Sequence, residues 1–286
     1  MINYNPKDWF TFIFRFSKAD TFRKLLPLMI AVSVYSALVA YLELNYLKLS
    51  ESSEISKFGM VHGVLGFVIS LLLVFRTNTA YDRWWEGRKV WGALTNASRN
   101  LAMKVNSTVA DKADKEFFIH TIPLFADILK KHLRENENFH APDPILDLSK
   151  EKHLPNQIAA SLHCKVNELH RTGTISNAQL LLLSEEIKAF TDVCGACERI
   201  KNTPIPFTYS VFIKKFIFFY VMTLPLGWVF SLGYLIIPVV ALILYAFASL
   251  ELIAEEIENP FGTDANDLPV DQMSANIKTH VTEILS

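Results

Sequence analysis

A chain of 286 residues with 51% hydrophobic side chains, 21 Phe and a mean hydropathy of +0.23 is too apolar and too aromatic for an average soluble domain. Its formal net charge of −1 argues against nucleic acid as a partner and leaves the bilayer as the expected environment.

Residues 1–24 lack the short apolar core of a secretory signal and carry Asp8, Trp9, Arg15, Lys18, Arg23 and Lys24, so the amino terminus is expected to stay cytosolic. A first membrane span is predicted over 25–42 and a second over 58–75, each near the roughly 20 apolar residues needed to cross about 30 Å of hydrocarbon. Between them, Glu43, Glu51 and Glu54 stand against Lys48 and Lys57, which suits the outer side. Within the second span, FVISLLLVFR at 67–76 puts Phe67, Leu71 and Phe75 on one stripe, because side chains four apart on a helix stack on one face, and the run ends at Arg76. Such a stripe lines a narrow, dry throat if several copies surround an axis. The bland reading is helix packing or lipid contact.

The segment RTNTAYDRWWEGRKVWG at 76–92 mixes Arg with aromatics and reads as a structural collar, with Trp84 and Arg88 stacked and Asp82 and Glu86 paired with nearby Arg. From Thr79 the pattern turns polar and helical, with Trp84, Trp91, Leu94, Leu101 and Val105 on an amphipathic helix that leaves the membrane. Further helices are predicted over 115–133, 156–170 and 176–202, the last capped within 174–177, and a Pro-rich loop over 134–155. A third span over 211–230 and a fourth over 232–250 are joined only by a turn and form a tight hairpin. The basic clusters Arg15/Lys18/Arg23/Lys24, Arg76/Arg83/Arg88/Lys89 and Lys214/Lys215 fall on one side if both termini are cytosolic. The division is thus 1–24 cytosolic, 25–75 transmembrane, 76–208 cytosolic and helical, 209–250 transmembrane and 251–286 cytosolic.

Phosphate-cradling Gly-rich loops, HExxH and GxSxG are all missing, so an enzyme is not expected. His62 lies within a span, where an ionisable group is a functional candidate; the plainer reading is a neutral imidazole bonded to a neighbouring helix. Cys194 and Cys197 form a lone CxxC and read as free cytosolic thiols rather than half of a metal site. Pro225, Gly227 and Pro238 interrupt the third and fourth spans as in a secondary transporter, but the first half offers no paired counterpart. A membrane-anchored scaffold is the other alternative, with no convergent polar site to support it.

The blocks FVISLLLVFRTNTAYDRWWEGRKVWG, CGACERIKNTPIPFTYS at 194–210 and NPFGTDAND at 259–267 together resemble the bestrophin channels and their bacterial and plant relatives, the latter including voltage-dependent chloride channels. The resemblance spans nearly the whole chain. It implies an all-α integral membrane protein: a homopentamer of four-span subunits around one central pore, with a large helical cytosolic region, in this case in a bacterial inner membrane. It also implies a pore neck of three apolar residues spaced by four, here Phe67, Leu71 and Phe75, with Arg76 at the inner mouth. A lower constriction would fall near Ile175, Ala178 and Leu180. The calcium clasp of eukaryotic members follows NPFG; here its acidic run is thinned to Asp264 and Asp267, so calcium is a candidate ligand and no other cofactor is expected. The permeant species is expected to be chloride and similar monovalent anions, helped by the positive edges of Phe rings and by Arg76. Against this, Glu251, Glu255, Glu256 and Glu258 crowd the end of the fourth span, and some bacterial relatives pass monovalent cations such as sodium, so a cation channel of the same fold stays open.

Overall fold

A computed structural model describes residues 21–48, 58–135, 143, 145–149 and 151–286. The expectations for residues 1–20, most of the loop after the first span and part of the loop at 134–155 lie outside them. The described residues are helical, with no strand among them: α1 (Thr21–Tyr41), continued by a π turn (Leu42–Tyr46), α2 (Phe58–Thr108), α3 (Lys112–Leu133), α4 (Leu154–Arg171), α5 (Asn177–Asn202), α6 (Phe207–Leu232), a 3₁₀ turn (Gly233–Leu235), α7 (Ile236–Glu258) and α8 (Val270–Leu285).

Three helical stretches are long and apolar enough to cross a bilayer: Thr21–Tyr46, Gly59–Thr108 and Phe207–Glu258. The last of these is two helices, α6 and α7, packed against each other across the turn. Gly233 ends α6 at φ 54°, ψ −135°, a backbone region that only glycine enters without a Cβ clash, and so it reverses the chain in three residues. The expected interruption by proline does not occur. Pro225 lies inside a continuous α6, and Pro238 sits in the first turn of α7, where the missing N–H has no carbonyl to leave unpaired.

The chain divides into two compact units. The first, built from α1, the start of α2, α6 and α7, has a core of aliphatic side chains such as Val32, Leu73, Ile217, Val240 and Leu244. Backbones approach closely where side chains are missing: a Cβ on Gly59 would stand 3.2 Å from the Gly227 carbonyl oxygen. With hydrocarbon outside, it is this close packing rather than water exclusion that holds such helices together.

The second unit takes the rest of α2 with α3, α4, α5 and α8. Its core is a conventional water-excluding one, with Trp91, Leu94, Leu101, Phe118, Phe125 and Phe190 fully buried and Phe125 edge-on to Phe190 at 4.9 Å. Two of its helices start where the sequence supplies a side-chain cap of the usual kind. Asp111 accepts the Ala113 and Asp114 amides at the head of α3. Ser176 and Gln179 form a reciprocal capping box on α5. The helix α8, which packs on α3, was not anticipated within the expected C-terminal segment 251–286.

At 51 residues, α2 is the longest element. With a rise of about 1.5 Å per residue it runs roughly 75 Å, more than twice the hydrocarbon thickness of about 30 Å, so much of it has to lie outside lipid.

Candidate functional site

The membrane portion of α2 has two unlike faces. Inward, His62, Ile69, Leu73, Arg76 and Ala80 recur at spacings of seven, four, three and four and are all buried. Outward, Phe67 is 70% exposed, Leu71 45% and Phe75 56%, continuous with Met60, Val64 and Val74. The expected stripe therefore faces away from its own subunit. His62 bonds through Nε2 to the Thr223 hydroxyl on α6 at 3.0 Å and lies edge-on to the Tyr220 ring, which is the plainer of its two readings.

Arg76 departs from expectation. It is 1% exposed, so its guanidinium does not line an inner mouth. Nη2 donates to Glu258 Oε2 at 2.7 Å, and Nε stands 3.4 Å from Glu251 Oε2, which is also buried. Glu258 Oε1 in turn accepts the Ile205 amide at 2.8 Å, and its carbonyl accepts from Arg83 Nε at 3.0 Å. A charge this deep in apolar surroundings survives only when paired, and α7 supplies the partners. The other acids of α7 are paired too, Glu255 with Lys214 at 2.9 Å and Glu256 with Lys24 and the Asn266 amide.

The three positions expected near a lower constriction differ in burial. Ile175 is buried in the core of the second unit, so its side chain is not available to line a passage, and Leu180 packs against that core while staying partly exposed. Ala178, in the first turn of α5, is exposed.

The NPFG segment forms a turn closed by the Leu268 amide on the Pro260 carbonyl at 2.9 Å. It sits on Gly87 of α2, where a Cβ would meet Pro260, Leu268 and Phe261 at 3.1–3.2 Å. Arg134 Nε donates to the Phe261 and Gly262 carbonyls at 3.1 and 3.2 Å while its fork holds Asp271 at 3.1 and 2.8 Å. Calcium needs six to eight oxygens free of competing cations. Here two of the turn's carbonyls are turned to a guanidinium, Asp264 is exposed and Asp267 is buried, so the donor set does not suit that ion.

Other expectations resolve locally. Cys194 and Cys197 are unbridged and buried; burial pushes the Cys194 thiol up to about 12 and the Cys197 thiol higher still, which keeps both protonated and inert. In the collar, Glu86 pairs with Arg199 of α5 at 2.6 Å rather than with a neighbouring Arg, and Trp84 packs on the core of the second unit. One cluster escaped sequence reasoning: His132, His153 and Glu198, from three elements, bring their donor atoms together. No spacing signals it, because the three positions are scattered over the chain.

Apolar helices of spanning length, a helix with one face turned outward, and a second helical unit define an all-helical integral membrane protein. The Bacterial/Fungal Bestrophin family model matches residues 1–283, and the chain belongs to the bestrophin family. A voltage-dependent anion channel-forming protein of Mesorhizobium japonicum is 30% identical over 98% of this chain and 91% of its own length. One of the same description from Nostoc sp. is 33% identical over 98% and 92%. Among solved structures, a bacterial bestrophin homolog from Klebsiella pneumoniae carrying one substitution superposes with a TM-score of 0.77 at 26% identity, covering 91% of this chain and 98% of that one.

Proposed function

We propose that this chain conducts chloride and similar monovalent anions passively, as a homopentamer in a bacterial inner membrane with both termini and the second unit in the cytosol. Each subunit would cross four times, by α1, the start of α2, α6 and α7. The observation that carries the reading is the outward stripe of Phe67, Leu71 and Phe75 on a helix whose opposite face is buried. Repeated around an axis, these side chains form a neck that strips water from an ion and closes by dewetting. Phe ring edges carry partial positive charge and reduce the cost of dehydrating an anion. The anion channel-forming relatives support the sign. Among the three positions considered for a lower constriction, Ala178 is the one with an exposed side chain to contribute.

A monovalent cation channel of the same architecture is the second reading, favoured by the burial of Arg76, which removes the one positive ring expected near the neck. Purified protein in planar bilayers under an asymmetric KCl gradient separates them by the sign of the reversal potential. Replacing Phe67, Leu71 and Phe75 together with Ala should raise the current by widening the throat. Unitary steps unchanged in size and open time would remove the stripe from the conduction path, and a protein that gives no steps at all would be a transporter or scaffold.

A further inference from the structure

Outside the membrane portion, the end of α3, the head of α4 and the last turns of α5 meet at three side chains. His132 Nε2 stands 2.7 Å and His153 Nε2 2.6 Å from the same oxygen, Glu198 Oε1. The donor atoms of all three lie within 4.8 Å of one another, and the two imidazole rings meet edge to face at 4.6 Å. Each side chain is about one-third exposed, so the convergence point opens to solvent on one side.

We propose that His132, His153 and Glu198 form a binding site for a divalent transition metal of the zinc class, with solvent in the remaining position. Two imidazoles and one carboxylate are a donor set that zinc accepts with an open fourth place. Hard ions such as calcium prefer all-oxygen shells and discriminate against it. The positive neighbour, Lys201, is held by Glu135 at 2.9 Å, and its contact with the cluster is to the His132 carbonyl at 3.4 Å rather than to the ring.

Proton balance sets the competition. His153 Nδ1 accepts the Asn156 amide at the head of α4, so its neutral ring carries the proton on Nε2 and gives it to Glu198. A metal at Nε2 moves that proton to Nδ1 and displaces the cap, a bond already long at 3.3 Å. Ligation would fasten the junctions of three helices that already pack on one core, and so make the second unit respond to metal.

The test uses the full chain, purified in detergent, stripped with a chelator and titrated with ZnCl₂ against a chromophoric competitor. Wild type should take up a tight equivalent and unfold at higher temperature with zinc. His132→Gln, Glu198→Gln and His153→Asn, the last keeping a side-chain oxygen to cap Asn156, should each weaken binding by at least on the order of 10- to 100-fold. Their metal-free circular dichroism and elution volume should match wild type; for any variant that fails this, the other two carry the comparison. Equal calcium should not displace the zinc. Undiminished affinity in the variants, displacement by calcium, or no zinc uptake by wild type would each overturn the site.

Discussion

Replacing Arg76 with Met tests whether its charge serves the fold or the ion path. The Met side chain fills much of the same volume but leaves Glu251, whose oxygens make no hydrogen bond, and Glu258, which keeps only the Ile205 amide on Oε1, without their cation. Removing one member of a buried ion pair costs about 3–5 kcal/mol, because the remaining charge is stranded. Thermal unfolding followed by fluorescence of the five Trp residues should show the midpoint fall by several degrees. Adding Glu251→Leu should recover part of that loss, since an apolar group replaces a carboxylate that has no other partner. Reversal potential should not move in any of these variants that still assembles. A variant as stable as wild type whose reversal potential shifts toward cations would refute the reasoning, since it would mean that the guanidinium faces permeating ions rather than acids.

Two further outcomes follow from local geometry. Gly87→Ala drives a methyl against three firm apolar side chains and should destabilise by about 1–3 kcal/mol, whereas at Gly92 a Cβ meets only the mobile end of Arg88 and the same change should be neutral or gain up to about 1 kcal/mol of helix propensity; equal unfolding midpoints for the two variants would discount the contact with the NPFG turn. Asp143 is held on α3 by His120 at 2.9 Å and accepts the Ile145 and Leu146 amides at 2.9 and 2.8 Å. Burial works to raise its carboxyl, but those two amides and then His120 outweigh it and leave it below the ordinary 3.8. A carboxyl depressed in the folded state contributes stability that is fully present above the ordinary value and is lost as pH falls through the lowered one. Hydrogen exchange at Ile145 and Leu146 should therefore lose protection on acidification below that range, and Asp143→Asn should remove that pH dependence; a variant whose protection still falls over the same pH range would show that the carboxylate is not the titrating anchor.

The helices long and apolar enough to cross a bilayer were legible because hydrocarbon demands long apolar runs, and the packing of α6 on α7 because only a few residues separate them. The helices at 115–133, 156–170 and 176–202 were legible from the helical pattern of the sequence, the last also from its cap, to within three residues at each end. Arg76 was misread for a reason that the helical wheel exposes. It follows Phe75 in sequence but is turned about 100° from it, and lies three and seven residues after Leu73 and Ile69, both of which are buried. Its partners Glu251 and Glu258 are seven apart, on one face of α7, a pairing that becomes visible only when α2 and α7 are packed together. The missed α8 carries Val270, Ile277, Val281 and Leu285 at helical spacing, all buried, but with polar residues between them that masked the stripe. The His132 cluster had no such signal, since tertiary packing alone assembles it.

The pairing of charges around the first unit alters what can set the sign of conduction. Sequence suggested a contest between a positive ring at Arg76 and negative rings at Glu251, Glu255, Glu256 and Glu258. In the folded subunit Lys214 and Lys24 each take one acid and the buried Arg76 is shared by Glu251 and Glu258, so no positive ring is left near the neck and the one acid in excess is held within the Arg76 cluster. In the proposed neck, selectivity would then fall to uncharged groups: the outward rings of Phe67 and Phe75, whose edges interact better with a partly dehydrated anion than with a cation. A preference of that origin would be modest and set by ring orientation, and swapping the rings for aliphatic side chains of similar size should erode it while leaving the proposed gate as narrow as before.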